Sequence, residues 1–337
     1  MNKFRLVVFG SDWDVYQTAF RDFAENPRIT YIPTCRPAGG LGLLQRVQFN
    51  PKLNHLVNIP YKHLWNPYYL RDIQNTQQLC FLVLENWLRL ECGIRLLPYL
   101  RNTYPDARIV CFMQDLADTI IDHYSHRPVD LEYVRKYADL LVSYDAADAK
   151  KHGMHYHPTV FSPVDLGNTP LPSPCDLYFL GRDKGRLHLL VEICKEAQRK
   201  GIKAKFILME VPPRQRIECD GITYQDQPVP YMENLRNVTA SKCVIEMLQP
   251  GADSPTFRTW EAIALNKKLL TTNSSIQQYD IYDKQYISVF HNIADINWLF
   301  IEDKWLIYES ENPYLQTIRP ASLIKYIEKQ LNILIDR

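Results

Sequence analysis

Short apolar runs alternate with amphipathic stretches along most of this chain. FRLVVFG (4–10) is Val-rich, ends in glycine and runs into SDWD, the pattern of a parallel strand buried on both faces that opens into a turn. ARIVCFM (107–113) and ADLLVSYD (138–145) repeat that pattern, the second preceded by the helical stretch DLEYVRKY. Ahead of ARIVCFM, QLCFLVLENWLRLECGIRLLPYLRNTYP mixes strand and helix spacing, and a helix is expected near 88–103. Residues 31–60 carry Pro33, Pro37, Gly39, Gly40, Gly42, Pro51 and Pro60 and read as a long loop.

HPTVFSPVDLGNTPLPSPC (157–175) then holds five prolines and no period. After it the alternation restarts. Strands are expected at CDLYFLG (175–181), KAKFILM (203–209), CVIEML (243–248), KKLLTT and QYISVF, with helices over 186–201, ENLRNVTASK and 255–265. The pattern predicts an α/β protein with two doubly wound, Rossmann-like domains facing across a cleft. Their expected bounds are 1–157 and 175–318, with a linker over 158–174 and hinge closure expected about 160–174. The tail, 319–337, reads as an amphipathic helix with Leu323, Ile324, Ile327, Leu331 and Leu334 on one stripe, packing back on the body at the N-terminal domain.

Composition narrows the function class. The 337 residues suit two domains, and a 46% hydrophobic content provides a core. Lys plus Arg number 39 against 38 Asp plus Glu, a net charge of +1 that argues against a dedicated nucleic-acid binder. Eight scattered cysteines without a CxxC pair read as reduced thiols. The opening turns acidic too soon for a signal peptide, and no run approaches the roughly 18 apolar residues of a membrane span. The expectation is a cytoplasmic protein, at most peripheral at the inner face of a membrane. The histidines of KHGMHYHP lack a Cys or carboxylate at ligand spacing, so no metal site is expected.

Three groupings carry candidate chemistry. In LYFLGRDKGRLHLL a strand ends at Gly181, and Arg182, Lys184 and Arg186 surround a helix start, an arrangement suited to a pyrophosphate. It matches neither GxxxxGK[ST] nor GxGxxG, and a solvated charged turn is the plain alternative. In DSPTFRTWEAIALNKK a helix is expected to start at Asp253-Ser254-Pro255 and to bring Thr256, Arg258 and Glu261 to one side. Glu261 on an otherwise apolar helix needs a partner. Arg258 is one; the two vicinal hydroxyls of a ribose are another, with Arg258 meeting the phosphates. Lastly, carboxylates follow strands of the first half: Asp12 and Asp14 after the first, Asp115 and Asp118 after ARIVCFM. Asp115 is the favoured general base, with Asp12 behind it, although Asp115 also reads as a helix cap.

The second half resembles the donor-binding domain of GT-B glycosyltransferases. DLYFLGRDKGR is similar to their strand–Gly–basic loop, and SPTFRTWEAIALNKKLLTT to an acidic helix with the run R..EA.A...K.L.T. The likeness spans about 175–290 and is nearest to bacterial lipopolysaccharide and capsular-polysaccharide transferases, more distantly to phage DNA β-glucosyltransferases. Two positions depart: the helix has Glu261 alone rather than a Glu-x7-Glu pair, and Asn266 stands where glycine is usual. The resemblance implies a metal-independent transferase with no cofactor. Its co-substrate is a nucleoside-diphosphate sugar, UDP-linked by expectation, with the diphosphate on Gly181, Arg182, Lys184, Arg186, Thr256 and Arg258 and the ribose on Glu261. The partner is a glycan or lipid-linked acceptor, not nucleic acid. The segment 31–66, with Arg36, Arg46, Lys62, His63 and Trp65, is the expected acceptor side. A non-catalytic nucleotide-sugar-binding scaffold is the alternative.

Overall fold

The computed structural model describes residues 4–34, 39–50, 53, 57, 59–74, 78–121, 129–249, 251–302 and 313–335. The chain forms two compact units, Met1–Ser162 with Pro320–Arg337, and Pro163–Arg319. The first contains a six-stranded sheet ordered β2-β1-β3-β4-β5-β6: β1 Arg5–Phe9, β2 Thr30–Ile32, β3 Leu79–Leu84, β4 Arg108–Met113, β5 Leu140–Ser143 and β6 His155–Tyr156. Every pairing is parallel, with Val7 opposite Phe81 and Phe81 opposite Ile109. Helices on both faces of such a sheet explain why RLVVF, LCFLVL and RIVCFM are apolar almost throughout rather than alternating. The order reverses between β1 and β3, so the crevice beyond their carboxyl ends is the switch point of this unit.

In the second unit the order is β12-β11-β10-β7-β8-β9, again all parallel: β7 Cys175–Arg182, β8 Ala204–Met209, β9 Ile222–Gln225, β10 Ser241–Glu246, β11 Lys268–Thr271 and β12 Ile287–Val289. The chain winds outward from β7 through β8 to β9, then returns to the other side of β7 for β10 and winds outward again. Its switch point therefore lies between β7 and β10. The helix Leu187–Arg199 covers one face, burying Leu190, Ile193, Cys194 and Ala197, and Gly201 at φ 75 follows its end.

Several expectations shift. The 88–103 helix is three short helices, Glu85–Leu88, Glu91–Ile94 and Leu96–Thr103. Residues 31–60 are not one loop but contain the helix Gly39–Gln48. The start of the Phe257–Ala264 helix falls past Pro255, with Thr256 as its cap: Thr256 Oγ1 accepts from the Arg258 N–H at 3.1 Å. At the other end Asn266 takes φ 55 and the Lys267 N–H reaches the Ala262 carbonyl at 2.7 Å, so asparagine closes the helix as glycine would. Val160, Phe161 and Ser162, at the head of the proline-rich stretch, are fully buried in the first unit. The C-terminal helix Pro320–Ile335 is part of that unit too, with Leu323, Ile327 and Leu331 buried.

Candidate active site

At the carboxyl end of β7, Gly181 and Arg182 lead into a tight turn in which Lys184 and Gly185 have φ 46 and 80. Glycine adopts that geometry at no cost; lysine does not. Arg182 is exposed and pairs with Glu210 at 3.1 Å, while Lys184 Nζ reaches Gln249 at 2.8 Å. Arg186 turns inward. Its Nε, Nη1 and Nη2 donate to the carbonyls of Asp183, Met247 and Arg182 at 3.0, 2.6 and 2.6 Å. It thereby ties the β7 turn to the loop that follows β10. Burial pulls the Arg186 pKa down; Asp183 opposes that, and the charge of Arg258 reinforces it. Three carbonyl bonds use three of five guanidinium N–H groups, which leaves two for a ligand.

The β10 side of the switch point is built around two buried carboxylates. Glu261 is 2% exposed, and its Oε2 accepts from Arg258 Nη1 at 2.5 Å and from Asn234 Nδ2 at 3.3 Å. Arg258 Nη1 also donates to Asn234 Oδ1, and its Nη2 donates to the Leu180 carbonyl of β7 at 2.9 Å. Tyr178 Oη completes the set on Asn234 Oδ1 at 3.1 Å. Burial works against the Arg258 charge, yet Glu261 beside it, together with Tyr178, Tyr231 and Glu246, more than offsets this and the pKa goes up. Oε1 of Glu261 accepts no hydrogen bond from the described residues. The second carboxylate, Glu246 at the end of β10, takes three threonine hydroxyls: Thr256 at 2.6 Å, Thr259 at 2.8 Å and Thr271 at 2.6 Å. Those bonds fix the helix start and the neighbouring strand β11, and they turn the Thr256 hydroxyl inward.

The fold thus gathers Gly181, Arg186, Arg258 and Glu261 where β7 and β10 end, with Arg182 and Lys184 exposed in the β7 turn. Glu246 and Asn234 escaped the sequence reading. A lone acid closing the apolar run of β10, with threonines ahead of it, was the available signal for Glu246. Nothing in the local sequence marks Asn234, because its partners come from β7 and the Phe257–Ala264 helix.

In the first unit, the Asp115 carboxylate accepts from its own Leu116 N–H at 2.9 Å through Oδ1 and pairs with Arg89 at 3.4 Å through Oδ2. Its side chain is 34% exposed, so it is reachable. Arg89 also pairs at 3.3 Å with Glu85, which is buried and takes the Gln114 N–H at 2.8 Å. Burial, with the nearby Asp115 charge, pushes the Glu85 pKa up to about 7 against the pull of Arg89. Asp12 accepts from the Thr34 hydroxyl. Of the acceptor-side residues, Arg46 and His63 are exposed, whereas Lys62 is buried and Trp65 is buried with its Nε1 donating to Gln48 at 2.6 Å. Arg36 lies outside the described residues. Among the described residues no cluster of His, Cys, Asp and Glu has the makings of a metal site.

Neither a protein-family model nor a curated protein sequence matches this chain. Solved structures do. An α,α-trehalose 6-phosphate synthase from Burkholderia multivorans superposes with a TM-score of 0.55 at 9% identity, covering 100% of this chain and 99% of that one. Another trehalose-6-phosphate synthase, OtsA, gives 0.55 at 10% identity and 99% coverage of both chains. The N-terminal domain of trehalose-6-phosphate phosphatase from Candida albicans gives 0.53 at 11% identity, covering 100% and 97%. The fold is GT-B. At such identities the likeness establishes the GT-B architecture of two parallel six-stranded sheets in Rossmann-like domains, and nothing finer.

Proposed function

We propose that this GT-B chain is a glycosyltransferase that takes a sugar from a nucleoside-diphosphate donor. The observation that carries the reading is the convergence of Arg186, Arg258 and Glu261 at the β7/β10 switch point, where open α/β sheets bind ligands. Arg182, Lys184 and the two spare N–H groups of Arg186 meet the diphosphate, together with the N-terminus of the Phe257–Ala264 helix. Glu261 Oε1 meets the ribose hydroxyls, its charge held in place by Arg258 and Asn234 through Oε2.

Leaving-group departure puts negative charge on the diphosphate, and fixed cations and N–H groups stabilise it without a metal ion. A UDP-linked donor is supported by a fold neighbour described as UDP-forming, the trehalose-phosphate synthase of Burkholderia xenovorans, with a TM-score of 0.50 at 10% identity. Asp115, reachable and oriented by Arg89, is the proposed base for an acceptor hydroxyl, with Asp12 as second choice. The acceptor proposed is a glycan or lipid-linked sugar of bacterial surface polysaccharide, on the likeness of YFLGRDKGR and TFRTWEAI to such transferases.

Thermal unfolding against a panel of nucleoside diphosphates tests the reading. A ligand at a hundred times its Kd stabilises the fold by about 2.7 kcal/mol. A panel with no stabilising member counts against it.

A further inference from the structure

The helix Gly39–Gln48 is inside out. At 100° per residue, Leu43, Leu44 and Val47 share one arc, and they are 64%, 50% and 45% exposed. Gln45 and Gln48 face the body instead. Gln45 is 1% exposed and donates to Tyr69 Oη, and Gln48 bonds Trp65 and the Pro60 carbonyl. Those bonds hold Tyr61 and Leu64, also exposed, beside the end of the helix. Among the described residues, eleven large apolar side chains stand exposed, and eight of them fall between positions 41 and 64. Scattered apolar residues are ordinary on a surface; a concentration of this kind marks an interaction face.

Charge identifies the occupant. From Asn26 to Leu70 the sequence holds Arg28, Arg36, Arg46, Lys52 and Lys62 and not one Asp or Glu, in a chain whose net charge is only +1; Arg28 and Arg46 are exposed, and Lys62 is buried. Arg46 is exposed on the helix itself. Two copies meeting through this face would bring like charges together, whereas an anionic bilayer would attract them. We infer that this face docks the protein peripherally on a membrane carrying anionic lipids, the leucines entering the headgroup boundary and the cations meeting lipid phosphates. An in-plane amphipathic helix of this kind needs no spanning segment, and no described helix is long and apolar enough to cross a membrane. The inference does not depend on the transferase reading.

Flotation of the full chain with phosphatidylcholine vesicles, with and without phosphatidylglycerol as about a third of the lipid, tests it. The protein is expected to float with the anionic vesicles and to be released by high salt. The double variant Leu43→Ser/Leu44→Ser should lower the partition at least about tenfold, and Arg46→Glu by less. Leu299→Ser, an exposed site in the other unit, should change nothing. Failure of the wild type to float, or a double variant that floats like the wild type, overturns the proposal. So does sedimentation showing a concentration-dependent dimer that the double variant abolishes, without flotation; that result assigns the face to a second copy. Nucleoside-diphosphate binding by the same preparations reports on the donor site separately.

Discussion

In the second unit, cations and backbone N–H groups gather where β7 and β10 end, and the buried carboxylates are spent holding them: Glu261 on Arg258, Glu246 on three threonines. In the first unit, the equivalent ends of β1, β3 and β4 lead into Asp12, Glu85 and Asp115, with Arg89 shared between the last two. Both are doubly wound sheets with a switch point, so the backbone offers each the same opportunity. What separates them is which sign of charge is structural and which is presented. The side proposed for the donor is cationic, its arginines tied into carboxylates and carbonyls. The carboxylate side is anionic, and Asp115 there is partly exposed, paired with Arg89 and bonded to the Leu116 N–H.

The sharpest way to break the contrast is Arg258→Ala. It leaves Glu261 buried and uncompensated, and removing one partner of a buried pair costs roughly 3–5 kcal/mol. Denaturant unfolding should show a loss of that size. A change under about 1 kcal/mol would mean that the network is ornamental rather than a support. Arg186→Ala comes next. It removes the donor proposed to meet the leaving diphosphate, and in a transfer or donor-hydrolysis assay kcat should fall by about 10²–10³-fold, equivalent to about 2.7–4 kcal/mol.

In the first unit, pH gives the probe. Because the folded pKa of Glu85 is raised from 4.5 to about 7, the folded state holds more protons than the unfolded state between those values. Its contribution to stability is thus complete below pH 4.5 and is lost as pH rises through about 7. The slope reaches about 1.4 kcal/mol per pH unit at most, and Glu85→Gln should flatten it in chemical unfolding followed across that window. A Glu85→Gln profile identical to the wild type would remove the buried-acid account. The smallest effect expected is Asn266→Ala, which forces alanine into a left-handed turn at a cost of about 1–2 kcal/mol, with Asn266→Gly close to neutral.

Much of the fold behind these predictions is legible in the sequence itself. Strong apolar runs such as RLVVF, RIVCFM and YFLG became strands because burial on both faces leaves little ambiguity. The edge strands β2, β6 and β9 were not legible: they have three, two and four residues, and the runs are too short to show a period. The Gly39–Gln48 helix was masked by its own glycines and by an apolar face that points outward, which reverses the rule by which helices are found. Arg258 and Glu261 were legible as a pair through their spacing. Asn234 and Tyr178 were not, since the contacts joining them to that pair span 24 to 78 positions of sequence with the Leu180 carbonyl included. Trp65 was expected to present its ring to an acceptor; the structure buries it against Tyr68 and Gln48 instead.

Calorimetric titration of UDP into the wild type, Arg186→Ala and Asp115→Asn tests the division of labour most directly. UDP should bind the wild type, bind Arg186→Ala at least about tenfold more weakly, and bind Asp115→Asn as it binds the wild type. Equal affinity for the wild type and Arg186→Ala, or weakening by Asp115→Asn alone, would contradict a donor site built at the β7/β10 switch point.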